Sequence, residues 1–131
     1  MAQLSEARTF TLLEDVEKMR LNGYALGGSL NNAIVVDKYK ILNSDGLRFE
    51  KEFVKHKALD CIGDFYLLGM PLIGTINTFA PGHQINQMFV KAILSNKENY
   101  SIEDLELKYS DNEYINALNF NNLSQKVINV A

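Results

Sequence analysis

The sequence predicts an α+β protein of the size of one domain. The chain has 131 residues, of which 47% are hydrophobic, and this is enough apolar material for a packed core. Residues 49–69 and 84–94 place apolar side chains at helical spacing. Residues 33–36 and 72–79 are short runs rich in β-branched side chains and bounded by turn residues, which is typical of strands. We therefore expect helices and strands in one fold.

Charge and composition narrow the class of protein. The net charge of −3, the pI near 5.3 and the scattered basic residues argue against nucleic acid or an anionic membrane surface as a partner. A single cysteine, Cys61, cannot form an internal disulfide, which fits a reducing compartment. No apolar run approaches the roughly 20 residues that span a bilayer, and the first residues lack a signal-peptide pattern. We expect a cytoplasmic protein without a transmembrane segment.

The first third of the chain predicts a helix followed by a turn-rich segment. Thr11 and Glu14 have capping-box spacing, which favours a helix over residues 12–21 that stops at Gly23. Residues 24–29 are small and contain a glycine pair with a serine. This stretch suits a tight turn or a phosphate cradle, although it lacks the lysine of a P-loop.

The remaining elements follow from turn residues. Residues 39–42 are expected to continue the strand at 33–36 or pair with it, before a turn at 43–46. From Ser95 onward the chain becomes polar and rich in asparagine, so we interpret 95–131 as a polar tail. Within it, Ser101 to Asp104 resembles a helix cap and 114–118 a short helix.

The predicted helix at 49–69 has an apolar stripe and a polar line. The stripe is expected to face the core and contains Val54, Ala58, Cys61, Ile62, Phe65 and Leu68. The polar line consists of Glu52, His56, Asp60 and Asp64, each four residues after the last. A His and an Asp one turn apart can ligate zinc, but the same spacing also suits an ordinary hydrogen bond on a helix surface.

Several motifs in order carry a resemblance to a known family. They run from Ala7-Arg8-Thr9-Phe10 and Ala25-Leu26-Gly27-Gly28-Ser29-Leu30-x-Asn32 through Leu42-Asn43-x-x-Gly46-Leu47-Arg48-Phe49-Glu50 and His56-Lys57-x-Leu59-Asp60-x-Ile62-Gly63-Asp64 to Leu67-Leu68-Gly69-x-Pro71 and Gly82-His83-x-x-Asn86. Together these residues closely resemble the zinc-dependent UDP-3-O-acyl-N-acetylglucosamine deacetylases of lipid A biosynthesis.

The resemblance implies the later part of that family's second domain. Residues 1–94 would form this domain, a β-α-α-β sandwich incomplete at its N-terminal side, with its helix layer on a partial sheet. Residues 11–36 would form a small βαβ insert that makes a hydrophobic passage for the acyl chain. The resemblance also implies that a third zinc ligand and a general-base glutamate come from the family's first domain, so a missing N-terminal half is an expected partner.

The resemblance also assigns roles to residues. His56 and Asp60 match zinc ligands. His83 matches a catalytic histidine whose imidazolium stabilises the oxyanion and protonates the leaving amine, and Asp64 matches the carboxylate that orients it. Lys57 matches an active-site residue near the substrate.

Four further positions match substrate-binding residues, and they are Thr9, Phe10, Gly28 and Ser29. The expected function is hydrolysis of the N-acetyl group of UDP-3-O-acyl-N-acetylglucosamine, although the isolated chain is predicted to be inactive. The alternative is a catalytically inactive fragment that binds metal weakly or pairs with a half-enzyme.

Overall fold

The computed structural model describes residues 2–106 and 124–130, and it confirms the α+β class. The described helices are α1 (Ala2–Ser5), α2 (Leu13–Leu21), α3 (Glu52–Phe65) and α4 (His83–Ser95). The described strands are β1 (Thr9–Leu12), β2 (Ala33–Asp37), β3 (Lys40–Ile41), β4 (Leu72–Ile73), β5 (Tyr100–Glu106) and β6 (Ser124–Val130). The chain divides into two compact units, Met1–Asp60 and Cys61–Ala131. Among the described residues, no helix is long and apolar enough to cross a bilayer.

The first unit contains the predicted βαβ arrangement. β1 pairs in parallel with β2, with Phe10 opposite Ile34, and α2 connects the two strands. β3 pairs antiparallel with β2, so the segment at 39–42 pairs with its neighbour rather than extending it. The turn that follows is closed by the Gly46 N–H, which donates to the Asn43 carbonyl at 3.0 Å. Gly46 has a φ of +63°, which a residue without Cβ adopts at low cost.

The predicted capping box is wrong. Thr11 lies in β1 opposite Val35, and its place in the ladder requires extended backbone. The residue before the helix is Leu12, and its side chain makes no capping hydrogen bond. α2 nevertheless covers nearly the predicted range, because its boundary is set by the end of β1 rather than by a cap.

The predicted core stripe of α3 is only partly correct. Val54 and Ile62 are 65% and 54% exposed, whereas Leu68 is buried just after the helix. Residues 52–60 of the helix belong to the first unit and residues 61–65 to the second. A 3₁₀ turn over Tyr66–Leu68 continues the helix, and Gly69, with a φ of +77°, ends it.

The second unit has its own core and sheet. β6 lies between β4 and β5, parallel to the former and antiparallel to the latter. Its buried core consists of Leu68, Val90, Ile93 and Ile128. Two of these residues come from α4 and one from β6, so the segment predicted as a polar tail contributes both strand and core.

Two predictions fail in this sheet. The strand expected over 72–79 is only Leu72–Ile73, because these two residues pair with Ile128 and Asn129 close to the end of β6. The cap expected at Ser101 to Asp104 is instead part of β5, which is held by its ladder with β6. The short helix predicted at 114–118 lies outside the described residues.

Candidate functional site

His56 and Asp60 approach each other one turn apart on α3. The distance from His56 Nε2 to Asp60 Oδ1 is 3.4 Å, and both side chains are largely buried. Tetrahedral zinc with bonds of about 2.0–2.2 Å places two ligand atoms roughly 3.3–3.5 Å apart. The other Asp60 oxygen accepts a hydrogen bond from Lys57 Nζ at 2.9 Å. The nitrogen and oxygen donors therefore fit two positions of a zinc site.

A complete metal centre is not found in the part of the chain that the structure describes. No group of three or more His, Cys, Asp or Glu side chains among these residues could hold a metal ion. Zinc sites use three or four protein ligands, the catalytic ones keeping one position open for water. His56 and Asp60 therefore supply two of the four protein ligands of a structural zinc site, or two of the three of a catalytic one.

A buried ionic cluster lies one turn before His56. The Glu52 side chain is fully buried, and its Oε1 accepts a hydrogen bond from Arg8 Nε at 2.9 Å. Arg8 also donates to Asp45 Oδ2 and to the Gly46 carbonyl. This cluster ties the start of β1, the turn at 43–46 and the first turn of α3 together.

The cluster sets the ionisation of Glu52. The Arg8 side-chain hydrogen bond is the largest influence and lowers the pKa of the Glu52 carboxyl to about 2, against the opposing effect of burial. Backbone N–H groups of Arg48 and Arg8 lower the pKa further by donating to the same carboxylate. Glu52 is therefore a carboxylate throughout the physiological pH range.

Sequence reasoning placed Glu52 in the polar line but did not identify its partner. Arg8 precedes Glu52 by 44 residues, and nothing in local periodicity connects them. Arg8 belongs to the first of the motifs that resemble the deacetylase family, and this motif was the available signal.

In the second unit, Asp64 contacts His83 as predicted. His83 Nδ1 lies 2.8 Å from Asp64 Oδ2, and the imidazole is 64% exposed. His83 is the first residue of α4, and Gly82 is the extended residue before the helix. The helix start thus fixes the backbone from which the imidazole projects.

Asn86 is a third member of this group that sequence reasoning did not assign. Its Nδ2 donates to Asp64 Oδ2 at 2.8 Å, and its side chain is almost fully buried. It follows His83 by three residues on α4, and this i,i+3 spacing places both side chains on the same face. Cys61 Sγ lies 3.5 Å from Asn86 Oδ1, so the cysteine contacts the same group.

Four of the five predicted substrate-binding residues line one groove of the first unit. Thr9, Phe10, Gly28 and Ser29 border a groove of about 890 Å³, whose floor is formed by β1, β2 and α2. Most of the lining is apolar, and Leu13, Val16, Met19, Ala33 and Val35 contribute to it. Lys57 Nζ lies 5.3 Å from the centroid of the Phe10 ring, a cation–π distance. The groove surface is therefore predominantly apolar.

A family model for LpxC, UDP-3-O-acyl N-acetylglycosamine deacetylase, matches residues 1–95. The chain belongs to this family. The matched range includes both histidines, the three carboxylates of the polar line and the groove residues. Deacetylase membership is thus confirmed for the segment that contains the predicted site.

Individual deacetylases of this family are also similar in sequence to the chain. The chain is 54% identical over 100 residues to UDP-3-O-acyl-N-acetylglucosamine deacetylase of Psychrobacter arcticus, covering 76% of this chain and 31% of that protein. The protein of that name from Hahella chejuensis is 51% identical over 104 residues, covering 79% and 34%. The one from Campylobacter fetus is 49% identical over 104 residues, covering 79% and 35%. The chain spans about a third of the length of these relatives.

The geometry brings the predicted residues together as two pairs. His56 with Asp60 belongs to the first unit, and Asp64 with His83 belongs to the second. Convergence of the two pairs on one site stays a prediction, as do the domain boundaries at 1–94 and 95–131.

Proposed function

We propose that this chain supplies part of the active site of a zinc-dependent deacetylase that removes the N-acetyl group of UDP-3-O-acyl-N-acetylglucosamine in cytoplasmic lipid A biosynthesis. The observation that carries the proposal is the His83–Asp64 contact in a chain of the deacetylase family. The apolar groove is consistent with a substrate that has an acyl chain, since burying each CH₂ group of such a chain stabilises a complex by about 0.8 kcal/mol.

His56 and Asp60 would hold the zinc ion, which when bound polarises the amide carbonyl and lowers the pKa of its water. The remaining ligand and the general base are expected from the family's first domain, as the resemblance implies. Lys57 donates to Asp60 and keeps that carboxylate oriented, and its ammonium is available to the polar part of the substrate.

His83 is the proposed donor to the developing oxyanion and to the leaving amine. In the imidazolium form, Nδ1–H donates a hydrogen bond to Asp64, and Nε2–H is the group that donates to the oxyanion and gives its proton to the leaving amine. Asn86 holds the Asp64 carboxylate by donating to Oδ2, so the imidazole is oriented before the substrate arrives. Such donors act where charge develops, which is why their orientation affects the rate.

A second candidate is an inactive module that binds metal weakly or pairs with a half-enzyme. The observation that favours it is the pair of donors at His56 and Asp60 without a third among the described residues. Under this alternative, the chain binds zinc but does not release acetate in any context.

A chimera tests the first proposal against the second. The 100 matched residues of the Psychrobacter arcticus deacetylase are replaced by those of this chain, and acetate release from the substrate is measured with zinc present. We expect the chimera to be active, His83→Ala to reduce its rate by about 10²–10⁴-fold, and the isolated chain to be inactive. Lys18→Ala, at an exposed residue of α2, is the matched control.

A folded, zinc-binding chimera without activity would favour the second candidate. An active chimera that His83→Ala leaves unchanged would refute the assigned mechanism.

A further inference from the structure

The peptide group that joins Ala7 to Arg8 lies between two side chains of α3. Its N–H, from Arg8, donates to Glu52 Oε1 at 3.1 Å. Its carbonyl, from Ala7, lies 3.0 Å from His56 Nδ1. Glu52 and His56 are four residues apart, one helical turn, so a single peptide group bridges two successive positions of the polar line.

The carbonyl determines where the imidazole carries its proton. A carbonyl oxygen only accepts hydrogen bonds, so the contact with Ala7 requires a proton on His56 Nδ1. In the neutral imidazole, Nε2 then has a lone pair and no proton. Nε2 is the nitrogen that lies 3.4 Å from Asp60 Oδ1, where the proposed zinc would bind.

Glu52 binds both the backbone and the side chain of Arg8, and so it holds the Ala7–Arg8 peptide in place. Its carboxylate accepts the Arg8 backbone N–H and also the Arg8 Nε and Nη2 groups. The Arg48 backbone N–H donates to Oε2 at 2.7 Å and fixes the carboxylate itself. Rotation of the Ala7–Arg8 peptide would break buried hydrogen bonds to a charged group, which are about twice as strong as neutral ones.

We infer that Glu52 and Arg8 are positioning residues that select the Nδ1–H tautomer of His56 and aim its Nε2 at the metal position. The part that concerns the metal rests on the proposed function, whereas the tautomer rests only on the geometry. Partners of this kind behind a ligating histidine typically change metal affinity by 10–100-fold when they are removed.

The tautomer is measured directly in the unsubstituted 131-residue chain. Imidazole ¹⁵N shifts and their couplings to ring protons, recorded where the ring is neutral, identify which nitrogen has the proton. We expect the Nδ1–H form at His56. Dominance of the Nε2–H form would overturn the inference without any variant.

Variants then test whether the cluster selects the tautomer. Glu52→Gln keeps an oxygen for the Arg8 N–H, so we expect it to retain the Nδ1–H form. The double variant Arg8→Met with Glu52→Leu removes the cluster without leaving an unpaired buried charge. In this double variant we expect a mixture of the two His56 tautomers. We also expect its zinc affinity, measured by chelator competition, to fall about 10-fold or more. Asp15→Asn with Lys18→Met, an exposed ion pair of the same unit, is the matched control.

A folded double variant with unchanged ring shifts would show that the cluster does not position His56. If that variant fails to fold, Glu52→Asp tests whether the cluster positions His56, because it retains the charge but withdraws the carboxylate by one methylene group. Unchanged shifts there would equally overturn the inference. If His56→Ala leaves zinc affinity unchanged, the proposed ligand role fails, whereas the tautomer result stands.

Discussion

His56 and His83 both present Nδ1 to an oxygen atom, but the two oxygens differ in charge. His56 faces the neutral Ala7 carbonyl and is largely buried, whereas His83 faces the Asp64 carboxylate and is mostly exposed. A carbonyl accepts the hydrogen bond of Nδ1–H and leaves Nε2 as the nitrogen that can bind a metal, which suits the ligand role proposed for His56. A carboxylate stabilises positive charge on the ring, which suits a donor to an oxyanion. The partner of Nδ1 therefore distinguishes the two roles proposed for these histidines.

The largest expected effect comes from removing the charge behind His83. Asp64→Asn in the chimera is expected to lower the deacetylation rate by about 10³–10⁴-fold, because the amide no longer holds the imidazole in the required tautomer and charge state. Acetate release measures the rate, and zinc content serves as the control. A rate within threefold of that of the unsubstituted chimera would show that the charge on Asp64 does not account for the difference between the proposed roles of His83 and His56.

A loss of similar size in stability is expected at the buried cluster. Arg8→Met leaves the Glu52 carboxylate buried without its guanidinium, which typically costs about 3–5 kcal/mol in the free energy of unfolding. Urea denaturation of the 131-residue chain measures it. Asp15→Asn breaks an exposed pair and should cost less than about 1 kcal/mol. Equal losses for the two variants would contradict the burial of the cluster.

A smaller effect is expected at Asn86. Asn86→Ala removes one hydrogen bond to Asp64 but leaves the contact between Asp64 and His83, so the rate of the chimera should fall about 10-fold. Asn86→Asp should be worse than Asn86→Ala, because it places two carboxylates side by side. The reverse order of the two rates would exclude the role of Asn86 in holding Asp64.

The smallest effect is a pH dependence of stability. The pKa of Glu52 is about 2 in the folded chain against an ordinary 4.5, so the unfolded state takes up the proton first. The stability that Glu52 contributes is present above pH 4.5 and is lost as the pH falls towards 2. Unfolding free energies between pH 6 and 3 should decrease more steeply for the parent than for Arg8→Met with Glu52→Leu. Parallel curves would argue against a depressed pKa.

Some local patterns predicted local features correctly. The four-residue spacing from Glu52 to Asp64 indicated one line along a helix, and α3 contains all four residues. Asn43 was predicted as a turn residue and is one, but its side chain also bridges Val35 N–H and two carbonyls, those of Leu30 and Ala33. The backbone groups that Asn43 binds are 8 to 13 residues away in the chain, and no sequence periodicity links them to Asn43. This second role was therefore not predictable.

The sequence by itself determined the α+β class and the polar line of α3, because helical spacing and turn residues are properties of neighbouring residues. Its ordered motifs indicated the family, and the resemblance to that family implied the βαβ unit. Tertiary structure decided which members of the polar line are buried and what each contacts. Glu52 binds Arg8, 44 residues away, and Asp64 binds His83, 19 residues away. It also decided that strand 72–73 ends early and that the polar tail forms strands, because β6 supplies the pairing. Periodicity identifies a face, but only the folded chain brings a partner to it.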